Sequence, residues 1–251
     1  MSNTALITGG SRGLGRSTVL ALADKGVNSI FTFVHDENAA KDVVAEAEKR
    51  GVTAVALQFD ATKFSDYSVF ISTVRTCLQQ HFGGGKLKYL VNNAGTGLHK
   101  AFSETSMEEF DALSDLHLKA PYFLTQALLS DIEDNGHILN ISSGLARFSL
   151  PGSSAYAVMK GGVEVLTRYL AKELGGRGIS VNTIAPGAIA TDFAGGTVRD
   201  NAEVNQFVSS VTAKGRVGEA SDIGPAIAKI LSDDCAWMTG QRVELSGGMF
   251  L

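Results

Sequence analysis

Tyr156 and Lys160 stand four positions apart in a stretch of helical period, so their side chains share one face of the predicted helix. A tyrosine hydroxyl, with a reference pKa of about 10, holds its proton at neutral pH and can donate it as a general acid. The neighbouring ammonium of Lys160 is expected to favour the phenolate and so to lower the pKa of Tyr156. Ser143 lies at the end of a predicted strand, where its hydroxyl can hydrogen-bond a substrate oxygen as charge develops. A Tyr-x-x-x-Lys pair alone is a common coincidence, so these residues need support from other motifs.

A glycine-rich segment, Thr8–Gly15, follows the first predicted strand and opens the first predicted helix. Glycines at this place let the backbone approach a pyrophosphate, which gains from the N–H groups and dipole of the helix N-terminus. A turn without a ligand is the alternative, and the position after the first strand favours the dinucleotide. The predicted contacts from this segment are Gly9, Ser11, Arg12, Gly13, Leu14 and Gly15.

The end of the second predicted strand bears on the choice between NAD(H) and NADP(H). An acidic residue there usually binds the ribose 2′-hydroxyl of NAD(H), but Phe33 occupies that place in this sequence. Arg12 lies inside the glycine-rich segment, where a fixed positive charge can reach a 2′-phosphate, and His35 is a second candidate contact. We therefore predict NADP(H) as the preferred cofactor, with NAD(H) as the alternative.

Polar residues also follow the third and fourth predicted strands. Asp60 and Ala61 end the third strand, and Asn92, Ala94 and Gly95 belong to the turn after the fourth. Ligands of open α/β sheets bind beyond the carboxyl ends of the strands, so both groups should face one crevice. We predict an adenine contact at the first group and a turn that supports the cofactor at the second.

Short apolar runs alternate with longer segments of helical period along the whole chain. Several runs are apolar at consecutive positions, which is typical of strands covered on both faces. The pattern predicts an α/β fold: a single Rossmann-type domain over residues 1–251, with a doubly wound parallel sheet and helices on both faces. The predicted strands are Thr4–Thr8, Ser29–Val34, Val52–Phe59, Tyr89–Asn92, Gly136–Ser142, Ile179–Ile184 and Arg242–Leu245. The predicted helices are Leu14–Lys25, Glu37–Arg50, Phe64–Phe82, Met107–Ile132, Ala155–Leu174 and Ile223–Ser232.

The composition excludes several other classes of protein. The formal charge is −4 without a long run of either sign, so we expect neither nucleic acid nor a membrane surface as a partner. No apolar stretch approaches the roughly 20 residues that span a bilayer, and no signal segment is recognisable, which predicts a cytoplasmic protein. Cys77 and Cys235 fit no metal-binding spacing, so no metal is expected.

Taken together, these motifs resemble the short-chain dehydrogenase/reductase family of the classical type, over essentially the whole chain. That resemblance implies an oxidoreductase that transfers hydride between a nicotinamide and a ketone or secondary alcohol, with Tyr156 as acid and base. It also implies that Lys160 hydrogen-bonds the nicotinamide ribose and that the protein is a homotetramer. The matching segments are Thr8–Gly15, Asp60, Asn92–Gly95, Ser143, Tyr156 with Lys160, Pro186-Gly187 with Thr191, and Thr239–Gln241 with Gly247-Gly248.

The resemblance also assigns the region after the sixth predicted strand. Pro186, Gly187, Ile189 and Thr191 are expected near the nicotinamide carboxamide. The following region, residues 190–218, holds Gly195-Gly196 and only a weak helical phase over Ala202–Val211. A segment of this length in a compact domain is typical of a substrate lid.

One position departs from the family pattern. Many members have an asparagine in an Asn-Leu-Lys-Gly-like run, as a fourth catalytic residue that helps hold a water linking the lysine to solvent. Here the run is Asp115–Ala120, and His117 occupies the place of the asparagine. A neutral imidazole can donate and accept, so His117 can hold that water, with an added pH dependence near neutrality. The alternative is a histidine satisfied by the helix backbone, with the relay abandoned.

For the substrate, we predict a small free ketone or alcohol in a mostly apolar pocket. Two other functions stay open: a 3-oxoacyl-thioester reductase, and a non-catalytic dinucleotide-binding sensor. The acidic stretch Asp131–Asp134 has the wrong charge for an acidic acyl carrier, and Lys172 alone is weak support for one. The candidate pocket residues are Leu98, Leu145, Phe148, Leu150, Phe193 and Met249-Phe250.

Overall fold

The computed structural model describes residues 3–251, and these form a seven-stranded parallel sheet in the order β3-β2-β1-β4-β5-β6-β7. The predicted Rossmann-type α/β fold is confirmed. The chain passes from β1 outward to β2 and β3, then returns to the other side of β1 at β4. This reversal opens a crevice at the carboxyl ends of β1 and β4, which is where dinucleotides bind in such sheets. The strands are β1 Thr4–Ile7, β2 Asn28–Phe33, β3 Ala54–Gln58, β4 Leu87–Asn92, β5 Ile132–Ile141, β6 Ser180–Pro186 and β7 Arg242–Leu245.

Helices cover both faces of the sheet, as the consecutive apolar positions of the strands predict. One core cluster packs the helices Gly13–Ala23 and Ala220–Ile230 against the sheet. A second cluster packs the helices Tyr67–His81, Ala120–Leu128 and Ser154–Leu174 against the opposite face. Short 3-10 turns lie at 64–66, 102–104, 144–146, 175–177, 193–196 and 233–235. The α-helices are α1 Gly13–Ala23, α2 Glu37–Glu48, α3 Tyr67–His81, α4 Met107–Ser114, α5 Ala120–Leu128, α6 Ser154–Leu174, α7 Thr197–Asp200, α8 Ala202–Ser210 and α9 Ala220–Ile230.

The long helix predicted over Met107–Ile132 is the main error in the sequence-based elements. A π-helical segment, Asp115–Lys119, separates α4 from α5, and α5 ends at Leu128. Ile132 belongs to β5, where it pairs with Leu87 before the register shifts. An apolar period near 3.6 cannot distinguish a continuous helix from one with an extra residue in a turn, so the pattern concealed the π segment.

No helix among residues 3–251 is long and apolar enough to cross a membrane. Within the same residues, no group of three or more histidine, cysteine or acidic side chains could hold a metal ion.

Candidate active site

The glycine-rich loop between β1 and α1 has the geometry of a phosphate cradle. Gly9 and Gly13 have φ angles of 69° and 53°, in the left-handed region that favours glycine. A Cβ on Gly15 would lie 2.0 Å from the carbonyl oxygen of Gly9, so this position admits glycine alone. Arg12 precedes α1 in an extended conformation, and no described side chain caps the first turn of the helix. The free N–H groups of that turn therefore suit an anion such as a pyrophosphate.

Asn93 fixes this loop to the turn after β4. Its Nδ2 donates to the carbonyl oxygens of Thr8 and Gly9, at 2.8 and 3.0 Å. The Thr8 hydroxyl oxygen accepts from the backbone N–H groups of Asn93 and Ala94, each at 3.0 Å. Asn93 belongs to the sequence motif but is not among the predicted site residues. Polar side chains at the ends of two adjacent strands were the available signal.

Asn92 faces the other way, into the sheet. Its Nδ2 donates to Asn140 Oδ1 at 2.8 Å and to the hydroxyl of Thr125 at 3.1 Å, both in the buried interior. Asn140 in turn donates to the hydroxyl of Thr167 on α6. The side chain of Asn92 thus links β4, α5 and β5 behind the site.

The residues predicted to contact the adenine half lie around the ends of β2 and β3. Asp60 Oδ1 accepts from the backbone N–H and the hydroxyl of Thr62, at 3.0 and 2.7 Å. Burial raises the pKa of Asp60, but these hydrogen bonds outweigh it and hold the pKa below its usual value. Phe33 is buried at the end of β2, whereas Arg12 and His35 are exposed. The two basic side chains are therefore open to solvent near the ends of β1 and β2.

Ser143, Tyr156 and Lys160 converge at the carboxyl end of β5 and the start of α6. Tyr156 is buried, and burial raises the pKa of its hydroxyl above the ordinary value, while a hydrogen bond with Ser143 lowers it in part. Lys160 Nζ lies 5.5 Å from the centre of the Tyr156 ring. The net pKa shift is opposite to the one expected from the sequence, because burial outweighs the neighbouring groups. Tyr156 is therefore a protonated acid at neutral pH.

Lys160 is itself buried and donates from Nζ to the carbonyl oxygen of Ile141 at 2.7 Å. Burial lowers the pKa of its ammonium to about 7. Lys160 therefore changes between its charged and neutral forms near neutral pH, whereas a solvent-exposed lysine stays charged there. This makes it a group that can both receive and return a proton beside Tyr156.

His117 lies in the π-helical segment, with its ring edge-on to Tyr156 at a centroid distance of 5.3 Å. Its Nε2 lies 2.8 Å from the carbonyl oxygen of Thr96, which assigns the ring proton to Nε2 and leaves Nδ1 as an acceptor. Burial, and then the charge of Lys160, lower the pKa of His117 to about 3. The imidazole is therefore neutral throughout the physiological range, and the pH dependence near neutrality expected from the sequence does not arise from His117.

A cavity of about 20 Å³ adjoins Lys160, His117 and Asn92. That volume has room for one water molecule. Two buried polar atoms of its lining residues, His117 Nδ1 and Asn92 Oδ1, have no hydrogen-bond partner within residues 3–251. Both are acceptors in the arrangement described above, so a water that donates to them satisfies the two groups whose burial is otherwise costly.

The loop after β6 closes on the glycine-rich loop. Gly187 donates its N–H to the carbonyl oxygen of Leu245 at 3.1 Å, and Ile189 forms an isolated bridge with Gly218. A Cβ on Gly13 would lie 3.7 Å from the side chain of Thr191. Thr191 therefore lies at the start of α1, beside the phosphate cradle, and Pro186 ends β6 at the same edge of the sheet.

The predicted lid region contains α7 and α8, and α8 agrees with the weak helical phase expected there. Phe193 lies edge-on to Tyr156, with ring centroids 5.9 Å apart. Leu98 and Leu145 pack against the small cluster that includes Tyr156. Three of the predicted pocket residues are thus brought to Tyr156.

The remaining candidate pocket residues lie further along the loop between β5 and α6 and near the last strand. Phe148 and Phe250 contact each other, with centroids 4.8 Å apart. Met249 is buried and Leu150 is half-buried.

A phosphate cradle at a parallel-sheet crevice, with half-buried Ser143 and buried Tyr156 and Lys160 beside it, defines a dinucleotide-dependent oxidoreductase. Residues 9–250 match a family model described as enoyl-(acyl carrier protein) reductase. The 3-oxoacyl-[acyl-carrier-protein] reductase FabG of Staphylococcus epidermidis is 32% identical over 253 residues, which cover 100% of both chains. The chain belongs to the short-chain dehydrogenase/reductase family, as the sequence motifs predict.

Two solved structures are similar over nearly the whole chain. The promiscuous reductase LugOII, which catalyses keto-reduction at C1 during lugdunomycin biosynthesis, matches with a TM-score of 0.94 and 35% identity, covering 99% of this chain and 98% of that one. The angucycline C-6 ketoreductase LanV with bound NADP matches with a TM-score of 0.94 and 33% identity, covering 99% and 95%. The predictions of the family, the fold and an oxidoreductase are therefore confirmed.

Proposed function

We propose that this chain reduces a ketone to a secondary alcohol with NADPH, and catalyses the reverse reaction with NADP⁺, using Tyr156 as the acid and base. The observation that carries the proposal is the convergence of Ser143, Tyr156 and Lys160, with a buried tyrosine that stays protonated at neutral pH. A protonated phenol is matched to a carbonyl oxygen that gains negative charge.

NADP(H) is the cofactor, and it supplies or accepts the hydride when bound. The cradle of Gly9, Gly13 and Gly15 suits its pyrophosphate, and Asp60 lies where its adenine half is expected. Exposed Arg12 and His35, together with the buried Phe33, favour a 2′-phosphate over a free hydroxyl. The NADP held by LanV supports the same choice.

The remaining chemistry belongs to the side chains. Ser143 hydrogen-bonds the substrate oxygen and stabilises its developing charge, while the Tyr156 hydroxyl transfers its proton to that oxygen. Lys160, with a pKa of about 7, orients the nicotinamide ribose and returns a proton toward Tyr156. Thr191 and Ile189, after β6, lie where the carboxamide of the cofactor is expected.

His117 takes part in supplying that proton. The cavity beside Lys160 has room for a water, and neutral His117 offers Nδ1 as an acceptor within its lining. A water there connects the ammonium of Lys160 with the imidazole, which is the role the family assigns to an asparagine at this position. Because the pKa of His117 is about 3, the imidazole orients the water rather than carrying the proton itself.

Replacing Tyr156 with phenylalanine tests the proposal. Tyr156→Phe should lower kcat for ketone reduction by about 10²- to 10⁴-fold, because it removes the general acid and leaves the ring in place. The dissociation constant for NADPH, measured by fluorescence, should stay within about twofold. Tyr169→Phe is a matched control, since this residue is exposed on the same helix.

Retained turnover in Tyr156→Phe would refute the assignment of the acid. NADPH binding by the wild type without oxidation across a broad panel of carbonyl compounds would favour the non-catalytic sensor. The convergence of three catalytic side chains argues against a sensor, since cofactor binding alone requires no aligned serine and tyrosine.

Reduction of a 3-oxoacyl thioester is the second candidate, and the full-length similarity to FabG favours it. The acidic stretch Asp131–Asp134 cannot exclude it, contrary to the sequence-based argument. That stretch lies at the amino end of β5, opposite the site, and Lys172 near the end of α6 lies toward the same distant edge. Neither position bears on a carrier that approaches the carboxyl edge.

Pairing of the basic side chains near the site is a better argument for a free ketone. Arg147 is held by Glu244 in two hydrogen bonds, and Arg199 is paired with Asp192 and Asp200. These arginines are largely neutralised, so they attract an acidic carrier weakly. Turnover of an acyl thioester with NADPH, faster than that of free ketones, would favour the second candidate.

We also propose a homotetramer in the cytoplasm. Exposed apolar and aromatic side chains on α4, α5 and α6 support this proposal, because an interface that covers them removes apolar surface from water. Light scattering on the purified protein, with a mass near four times 26.4 kDa, would support the tetramer, and a monomeric mass would contradict it. The side chains concerned are Phe110, Tyr122, Phe123 and Val165.

A further inference from the structure

A partly buried network of charged side chains lies behind the catalytic serine and takes no part in the mechanism above. This charged network consists of Glu164, Arg242, Glu244 and Arg147. It begins at Glu164, one helical turn after Lys160 on α6. Glu164 Oε1 accepts from Arg242 Nε of β7 at 2.6 Å and from the hydroxyl of Ser142 at 2.7 Å. The charged side chains of this pair are 14% and 23% exposed, so water screens them only in part.

Arg242 connects the charged network to the backbone of Ser143. One terminal nitrogen, Nη1, donates to Glu244 Oε2 at 2.8 Å. The other, Nη2, donates to the carbonyl oxygen of Ser143 at 3.3 Å. A guanidinium is planar and carries its donors in a fixed fork, so one side chain holds two carboxylates and this carbonyl in a set relation.

Arg147, four residues after Ser143, is the last member of the charged network. Its Nε and Nη2 donate to the two oxygens of Glu244 at 2.7 and 2.8 Å. The same Nη2 donates to the carbonyl oxygen of Met249 at 2.8 Å. Chiefly because of Arg147, the pKa of Glu244 is held at about 2, so its charge persists throughout the working pH range.

We infer that Arg242 is a positioning residue for ketone reduction. It holds Ser143 against Tyr156 through a charged network that extends from Glu164 to Arg147. This inference rests on the proposed function. Three contacts hold the segment around Ser143. Glu164 accepts from the hydroxyl of the preceding Ser142, and Arg242 donates to the carbonyl oxygen of Ser143 itself. Glu244 holds Arg147, four residues further on. Glu164 belongs to the helix that carries Tyr156 and Lys160. The charged network therefore connects that helix with the segment that carries Ser143.

The expected effect follows from how steeply catalysis depends on placement. A misplacement of about 1 Å can cost a factor of about 10² in rate. Arg242→Met keeps the length and apolar stem of the side chain but removes every donor. With Glu164 and Arg147 still in place, we expect a partial release of Ser143 and a loss of about tenfold in kcat. The KM for NADPH should change less than about twofold, because the cradle lies on β1 and α1.

A double-mutant cycle separates positioning from general structural support. Wild type, Arg242→Met, Ser143→Ala and the double variant are compared in single-turnover ketone reduction with excess enzyme. If Arg242 acts through the Ser143 hydroxyl, Arg242→Met should cost about tenfold in the wild-type background. In the Ser143→Ala background it should cost less than about twofold, because the hydroxyl that it positions is already gone. Equal losses in both backgrounds, or no loss in either, would overturn the inference.

Two further variants keep the test decisive. Arg75→Met removes an ion pair with Asp131 that has three hydrogen bonds and lies at the distant edge of the sheet, and it should leave kcat unchanged. Should Arg242→Met fail to fold, the same cycle is run with Arg242→Lys, which keeps the charge but cannot hold both carboxylates and the carbonyl. A wild type without turnover on any ketone would reject the proposed function, whereas an active wild type with a fully active Arg242→Met rejects this inference alone.

Discussion

The buried, neutral imidazole of His117 should make the protein sensitive to mild acid. Burial lowers the pKa of His117 from its ordinary value of 6.5 to about 3, so the folded chain excludes a proton that the unfolded chain binds. The resulting stability is fully present above pH 6.5 and is lost as the pH falls toward 3. His137, also buried, has a pKa lowered by burial and by Lys88, and it acts in the same direction.

The size of the effect follows from the folded and unfolded pKa values of His117. At pH 5 the unfolded imidazole is mostly protonated, while the folded one is almost entirely neutral. The difference amounts to about 2 kcal/mol of the free energy of unfolding at pH 5 relative to pH 7.5. This is a substantial part of the roughly 5–15 kcal/mol that typically stabilises a folded protein.

Urea denaturation at pH 7.5 and pH 5.0 measures this difference directly. In His117→Asn the loss of stability between the two pH values should be smaller than in the wild type by about 2 kcal/mol. Any packing defect of the variant lowers stability at both pH values and therefore cancels. His81→Asn serves as the control, because His81 is exposed at the end of α3.

An unchanged difference between the two pH values in His117→Asn would refute the reasoning. It would mean that the imidazole takes up its proton equally in the folded and unfolded chains, against the effect of its burial and of the nearby charge of Lys160.

Two further predictions concern activity. Arg12→Ala should raise the KM for NADPH by about 10- to 100-fold and leave the KM for NADH nearly unchanged, because a charge-assisted contact is worth about 1.5–3 kcal/mol. Arg16→Ala is the control. Equal losses with both cofactors would contradict the 2′-phosphate contact. His117→Ala should lower kcat by about tenfold or more. His117→Asn should largely preserve kcat, since an amide can still hold the water. A fully active alanine variant would leave His117 a structural role only.

The sequence predicted the strands well where apolar runs are bounded by clear turn residues. The last strand has the predicted bounds, Arg242–Leu245, and β2 differs by one residue at each end. β2 is buried along nearly all of its length, so its composition alone marks it, whereas β7 is half-buried and is marked by alternating charged and apolar residues.

The region between β4 and β5 could not be predicted in the same way. Pro121 inside the predicted helix was a signal of a break, since proline removes a backbone hydrogen bond. The structure has Pro121 at the second residue of α5, directly after the π-helical segment. The early start of β5 depends on a register shift against β4 and on Asn135, whose φ of 60° turns the strand; neither leaves a periodic pattern.

The catalytic motif was predictable from residue types, but its electrostatics were not. The pKa values of Tyr156 and Lys160 depend on how deeply each is buried, and burial is a property of packing. The contacts of Glu164 with Ser142 and Arg242 join segments far apart in the chain, so no local pattern could indicate them.

The attachment of Ser143 to Arg242 has a consequence for the order in which the contacts of the site can form during synthesis. The glycine-rich loop and Asn93 are complete once β4 has emerged, whereas Arg242 follows Ser143 by 99 positions. At about 5–20 residues per second, the ribosome needs roughly 5 to 20 seconds to make that interval. A nascent chain can therefore form the hydrogen bonds between Asn93 and the glycine-rich loop well before the carbonyl oxygen of Ser143 gains its contact with Arg242.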